Sequence, residues 1–215
     1  MYWIRILLII LLLILLFIFL LNLLILLKMD DKKILLICGH PYYEKDSFLN
    51  KAIIEDLKKK LPKAEYDILI ENYPEQKFDV QKEQNKLLQA EIIIFQYPIF
   101  WYSWPSLLQK YVEEIFTHGF AFGSKGSQLK GKKLILSFTA EYGEKDFQKN
   151  GAGKFTIEEI FLPSIIDICD FSELKLEGYI FTGDIGHELR KKEDEIKKLA
   201  ENHADRLIKK IKELK

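Results

Sequence analysis

The sequence predicts an α/β fold, a doubly wound sheet of five parallel strands in the order 2-1-3-4-5. Short β-branched apolar runs recur along the chain, and segments with helical apolar spacing lie between them. Such alternation gives parallel strands joined by right-handed crossovers, with helices on both faces. The length of 215 residues suits one globular domain with a sizeable core. The 32 basic and 32 acidic residues balance, which leaves no electrostatic basis for nucleic-acid binding as a primary role.

Each element has its own signal. Strand one is the buried run Lys33 to Cys38. An amphipathic helix follows from Ser47, read as its N-cap, to Leu61, where Pro62 stops it. Tyr66 to Ile70 is strand two, and Asp79 caps a helix that ends near Ala90. Glu91 to Gln96 is strand three, buried on both faces because Ile92 to Phe95 is continuously apolar. A helix opens after Pro105 and runs from Ser106 to Phe116. The Lys130-Gly131 turn introduces strand four, Lys132 to Thr139. Thr156 to Cys169 reads as one helix kinked at Pro163, and strand five lies within Phe171 to Phe181. The last helix, Glu188 to Leu214, carries Ile196, Leu199, His203, Leu207, Ile211 and Leu214 at helical spacing, so His203 reads as a packed residue rather than a ligand.

Residues 4–27 stand apart as almost pure Leu, Ile and Phe, broken by Arg5 and Asn22. A run of this length can cross a bilayer. The heavier positive charge after it, at Lys28, Lys32 and Lys33, would keep the following domain cytoplasmic. The expected division is a transmembrane helix in 1–28 and the ligand-binding α/β domain in 29–215. The alternative is a start at Met29, with the apolar run as upstream sequence and a soluble cytoplasmic protein. Cys38 and Cys169 sit among apolar residues without close spacing, as buried thiols do, and no histidine pairs with a cysteine at zinc-ligand spacing.

Three loops leave the carboxyl ends of strands one, three and four, where open α/β sheets bind ligands. The first, Gly39 to Asn50, ends at a helix N-terminus, whose free amides and dipole suit a phosphate. His40, Ser47 and Asn50 add side-chain donors there. The second, Pro98 to Trp104, is aromatic and braced by Pro98 and Pro105, which suits a flat ligand. The third is Thr139-Ala140-Glu141-Tyr142-Gly143. In a 2-1-3-4-5 sheet these strands adjoin at the switch point, so phosphate at one loop and a planar ring at the other two describe a flavin mononucleotide.

Gly-His-Pro-Tyr with Ser-x-x-Asn, Gln-Tyr-Pro-Ile-Phe-Trp-Tyr-Ser-Trp-Pro, Thr-His-Gly-Phe-Ala-Phe-Gly and Leu-Lys-Gly-Lys-Lys together resemble the flavodoxin-like NAD(P)H:quinone reductases, from about Lys33 to about Phe181. These include DT-diaphorase and, more closely, the bacterial ancillary reductases of glutathione-gated potassium efflux. The resemblance implies a homodimer, FMN in preference to FAD, and ping-pong hydride transfer from NAD(P)H through the flavin to a quinone. Two rival readings are an ancillary regulatory subunit of a potassium/proton antiporter and a flavodoxin-like electron carrier, the latter disfavoured because such carriers are usually acidic and here the charges balance. By position it assigns His40, Ser47, Phe48, Leu49 and Asn50 to the phosphate and ribityl chain. Pro98, Ile99, Phe100, Trp101 and Tyr102 fall to the isoalloxazine ring, and Thr139, Ala140, Glu141 and Tyr142 to its pyrimidine edge. Phe122 would reach the substrate pocket of the partner subunit. The family's Thr-Thr-Gly-Gly is here Thr139-Ala140-Glu141-Tyr142, so Glu141 would oppose negative charge on a reduced flavin and Tyr142 lacks glycine's freedom at positive φ. No catalytic acid is assigned, since Phe147 lies near the family's tyrosine and no histidine follows until His187.

Overall fold

Residues 10–18, 33–152 and 154–214 are described by a computed structural model. Five parallel strands form one sheet in the order β2-β1-β3-β4-β5. They are β1 (Ile34–Cys38), β2 (Glu65–Ile68), β3 (Ile92–Pro98), β4 (Lys133–Thr139) and β5 (Lys175–Thr182). Every residue of β1 and β3 is buried, because helices cover both faces of the sheet centre. The side-chain period of two divides the core. Ile34, Leu36, Ile92, Ile94 and Ile135 face α2 (Phe48–Lys60) and α8 (Glu193–Glu213), meeting Ile53, Leu57, Ala204, Leu207 and Ile211. Leu35, Ile37, Ile93, Phe95 and Leu136 face the other way. They pack on Leu87 of α4 (Val80–Gln89), on Leu107, Tyr111 and Ile115 of α5 (Ser106–Ile115), and on Phe161 and Ile165.

The expected order of strands and helices holds, and the boundaries that moved have local causes. A one-turn helix, α1 (Tyr43–Asp46), precedes α2, and Ser47 occupies the α2 cap position without a capping bond. β2 ends two residues early because the chain turns helical at α3 (Leu69–Asn72), where Asn72 Nδ2 donates back to Asp67 Oδ1 at 2.7 Å. Asp79 caps α4 as expected, accepting from the Lys82 amide at 3.0 Å. The segment around Pro163 is two helices, not one kinked helix. A capping box of Thr156 and Glu159 opens α6 (Ile157–Phe161), and Pro163 starts α7 (Pro163–Phe171), where its missing amide costs nothing. The last segment likewise splits into a 3₁₀ turn (His187–Lys191) and α8. Of the apolar run, residues 10–18 are helical and exposed, while 4–9 and 19–27 lie outside the described residues, as does most of the expected membrane span. No helix among the described residues is long and apolar enough to cross a membrane.

One ion cluster is buried under the α4 side of the sheet. Lys86 Nζ lies 2.6 Å from both Asp67 and Glu83, and Tyr73 donates to Glu83 at 2.6 Å. Burial and the adjacent Asp67 raise the Glu83 carboxyl above the usual carboxylate range. Both acids are shielded from water, so their cation is not replaceable by solvent. Lys86→Ala should therefore lower the unfolding free energy by about 3 kcal/mol in urea denaturation. Lys110→Ala, which breaks only the half-exposed Lys110–Glu114 pair, should cost less than about 1 kcal/mol.

Candidate functional site

The loop after β1 is held by backbone before any side chain acts. Gly39 N–H donates to the Gln96 carbonyl at 2.9 Å, tying the loop to the neighbouring strand. A Cβ at Gly39 would lie 2.7 Å from Leu108 Cβ, so only glycine lets the loop approach α5 this closely. His40 is buried, and its Nδ1 accepts from the Tyr42 amide at 3.1 Å. Burial holds the imidazole down to about 4, with Asp46 opposing the shift and Arg190 adding to it. The ring is thus neutral at pH 7, and with Nδ1 occupied as acceptor its proton is on Nε2. Beyond α1, Ser47 is buried at the N-terminus of the 13-residue α2, and its Oγ has no hydrogen-bond partner. The amides of the first helical turn also lack intrahelical acceptors, and no acidic residue lies in that turn.

The aromatic loop after β3 carries strain. Ile99 N–H donates to the Thr139 carbonyl at 2.7 Å, and Phe100 and Ser103 exchange two backbone bonds of 2.9 and 3.1 Å. Between them Trp101 (φ 49°) and Tyr102 (φ 60°) form a tight turn with both central residues left-handed, a place usually taken by Asn-Gly. Two bulky residues there cost on the order of 1–2 kcal/mol each. The turn leaves the Trp101 side chain 96% exposed. Trp104 anchors the loop, edge-on to Phe95 and Tyr97 and donating to Gln109 at 2.5 Å. The third loop is unstrained. None of Thr139, Ala140, Glu141 and Tyr142 has positive φ, so Tyr142 needs no glycine-like freedom and rests edge-on against Phe147.

These loops enclose a cavity of about 370 Å³ at the carboxyl edge of the sheet, within the size range of small-ligand sites. His40, Ser47, Phe48, Leu49 and Asn50 line it, with Pro98, Ile99, Phe100, Thr139, Ala140 and Glu141 opposite. Trp101, Tyr102 and Tyr142 do not line it. Phe122 is also elsewhere, stacked on Phe171 with ring centroids 4.8 Å apart. Four lining residues were not expected from the sequence: Tyr42, Asp46, Ile185 and Arg190. Arg190 pairs with Asp46 at 2.9 Å and lies over the Phe48 ring at 5.1 Å. It comes from the 3₁₀ turn before α8, a segment whose charge pattern resembles an ordinary solvated helix. The cavity therefore combines an unpartnered hydroxyl, a helix N-terminus, a neutral imidazole donor and the Arg190–Asp46 ion pair on one side, with an apolar wall on the other. That set suits a phosphate joined to a planar ring.

A profile of the flavodoxin-like fold matches residues 32–207. The uncharacterised NAD(P)H oxidoreductase YrkL of Bacillus subtilis is 40% identical over 131 residues, covering 61% of this chain and 74% of its own. General stress protein 14 of the same organism is 35% identical over 166 residues, covering 74% and 94%. Among solved structures, general stress protein 14 of Treponema denticola in complex with FMN superposes with a TM-score of 0.74 at 24% identity, covering 83% of this chain and 99% of that one.

The depressed His40 has a sign to test. Below the unfolded value near 6.5 the unfolded chain takes up a proton that the folded chain refuses, so this residue costs stability as pH falls toward 4. The wild-type minus His40→Gln difference in unfolding free energy should rise with pH between about 4 and 6.5, by at most about 1.4 kcal/mol per unit. A flat difference would show an imidazole that titrates normally.

Proposed function

This chain belongs to the flavodoxin-like fold family, in its NAD(P)H oxidoreductase branch, and from that premise we propose that it is an FMN-dependent NAD(P)H:quinone oxidoreductase. The observation that carries the cofactor assignment is the Ser47 hydroxyl, buried without a partner at the N-terminus of α2 and inside the cavity. A buried hydroxyl left unpaired costs about 1–3 kcal/mol. A phosphate oxygen held by Ser47 and the first-turn amides removes that cost, and the helix dipole favours the negative charge. His40 can donate from Nε2, and Arg190 supplies positive charge at the cavity mouth. The apolar wall of Pro98, Ile99 and Phe100 suits an isoalloxazine face, with the Ala140–Glu141 backbone at its edge.

FMN held there would supply two-electron redox chemistry between NAD(P)H and the acceptor. The protein's part is positional. One open face serving the nicotinamide and the quinone in turn gives ping-pong kinetics. The exposed Trp101 and Tyr102 extend the apolar wall beyond the cavity, where a second copy of the chain, bringing its own Phe122 surface, would close the acceptor pocket. Glu141 carries a carboxylate at the cavity rim and opposes negative charge on a reduced ring.

The purified chain should bind FMN, lose its visible flavin absorption on addition of NADPH or NADH, and regain it with menadione. Absence of FMN binding, or no bleaching, would remove the enzymatic reading. Glu141→Gly should raise the midpoint potential of bound FMN; an unchanged potential would show that this carboxylate does not face the ring.

A further inference from the structure

On the α2–α8 face, the carboxyl end of the sheet is polar and buried. A continuous chain of side-chain hydrogen bonds crosses it: Arg206 Nη2 to Thr182 Oγ1 (2.7 Å), Thr182 Oγ1 to His203 Nδ1 (2.8 Å), and His203 Nε2 to Ser137 Oγ (2.7 Å). It continues from Ser137 Oγ to Gln96 Oε1 (2.6 Å), Gln96 Nε2 to Asn50 Oδ1 (2.6 Å), and Asn50 Nδ2 to Thr139 Oγ1 (2.9 Å). The last two residues line the cavity. His203, Gln96, Ser137 and Thr139 have no exposed surface, so water does not reach these four.

The proton positions along it are linked. Arg206 can only donate. If each group donates onward from there, Thr182 gives its hydroxyl hydrogen to His203 Nδ1, His203 carries its proton on Nε2, and Ser137 donates to Gln96. The amides of Gln96 and Asn50 then point their NH₂ groups toward the cavity, and Thr139 keeps a hydroxyl hydrogen in hand. The opposite polarity puts the His203 proton on Nδ1, flips both amides, and strands the Thr182 hydroxyl hydrogen in a buried position already facing a guanidinium. Burial, with Arg206 adding to it, holds His203 down to about 3, so the ring is neutral in either case and only its tautomer is at issue. Gln96 and Asn50 are amides, which do not pass protons as water does, so the chain fixes orientation and is not a proton path.

We propose that Arg206, acting through His203, sets which hydrogen-bonding face Asn50 and Thr139 turn to the cavity, so that both present a donor hydrogen to the bound ligand. Arg206 and His203 are positioning residues for the cavity, on the surface end and the middle of the chain. This rests on the FMN reading for the ligand, whose phosphate, ribityl and ring oxygens are acceptors, but the polarity itself is a property of the chain alone.

Nitrogen-15 NMR of histidine-labelled full-length protein, with and without FMN, tests it. The expected result is a neutral His203 with its proton on Nε2, slow to exchange with water. A proton on Nδ1 would overturn the proposal. Arg206→Met should let the Nδ1 tautomer appear and weaken FMN binding about fivefold, near the value of one net hydrogen bond. Arg206→Lys, which keeps a cationic donor, should restore both. A pure Nε2 tautomer with unchanged FMN affinity in Arg206→Met would equally overturn it. Failure of the FMN reading leaves a different mark, the absence of FMN binding by the wild-type chain, and the tautomer signal does not depend on it.

Discussion

Gln96, Ser137, Thr139 and Thr182 lie at the carboxyl ends of β3, β4 and β5, buried on a face otherwise built around Ile92, Ile94, Ile135 and Ile180. Out of reach of water, each must bond to another protein group or destabilise the fold. They do so by drawing in residues from both covering helices, Asn50 from α2 and His203 and Arg206 from α8. This requirement fixes how far α2 slides along the sheet, and so where its N-terminus, with Ser47, meets the cavity. A helix held by apolar contacts alone could shift along its groove at small cost. One held by Asn50 to both Gln96 and Thr139 cannot.

Several local costs lie at the same end of the sheet. Ser47 Oγ is unpaired, Trp101 and Tyr102 hold left-handed backbones, and His40 is neutral in a buried site. Other segments follow their local preferences: Asp79 caps, Thr156 and Glu159 form a capping box, and Pro163 begins a helix. A strained turn and an unmet bond bordering one cavity are what a preorganised ligand site requires.

The sheet was legible in the sequence because its strands are short, apolar and β-branched, and because α/β topology admits few orders. The cavity walls followed from the rule that ligands sit at strand carboxyl ends, which placed His40, Ser47, Asn50, Ile99 and Thr139 without reference to contacts. Arg190 was not legible, since it reaches the cavity by a tertiary pairing with Asp46 from far along the chain. His203 was read by its helical stripe, which gives its burial but not its two hydrogen bonds. The period-two series Gln96, Ser137, Thr139 and Thr182 was visible as polar ends of apolar strands and was the available signal. The splits at Pro163 and before α8 escaped because apolar spacing continues across them.

The α2 N-terminus is the proposed phosphate seat, and comparing FMN with riboflavin at one site tests that most directly. The two ligands share the ring and ribityl chain and differ only in the phosphate. Titration of the purified chain by flavin fluorescence quenching should show FMN binding at least about 100-fold more tightly than riboflavin, the weight of a few charge-assisted hydrogen bonds. Equal affinity for the two would contradict the account, whatever the absolute strength of binding.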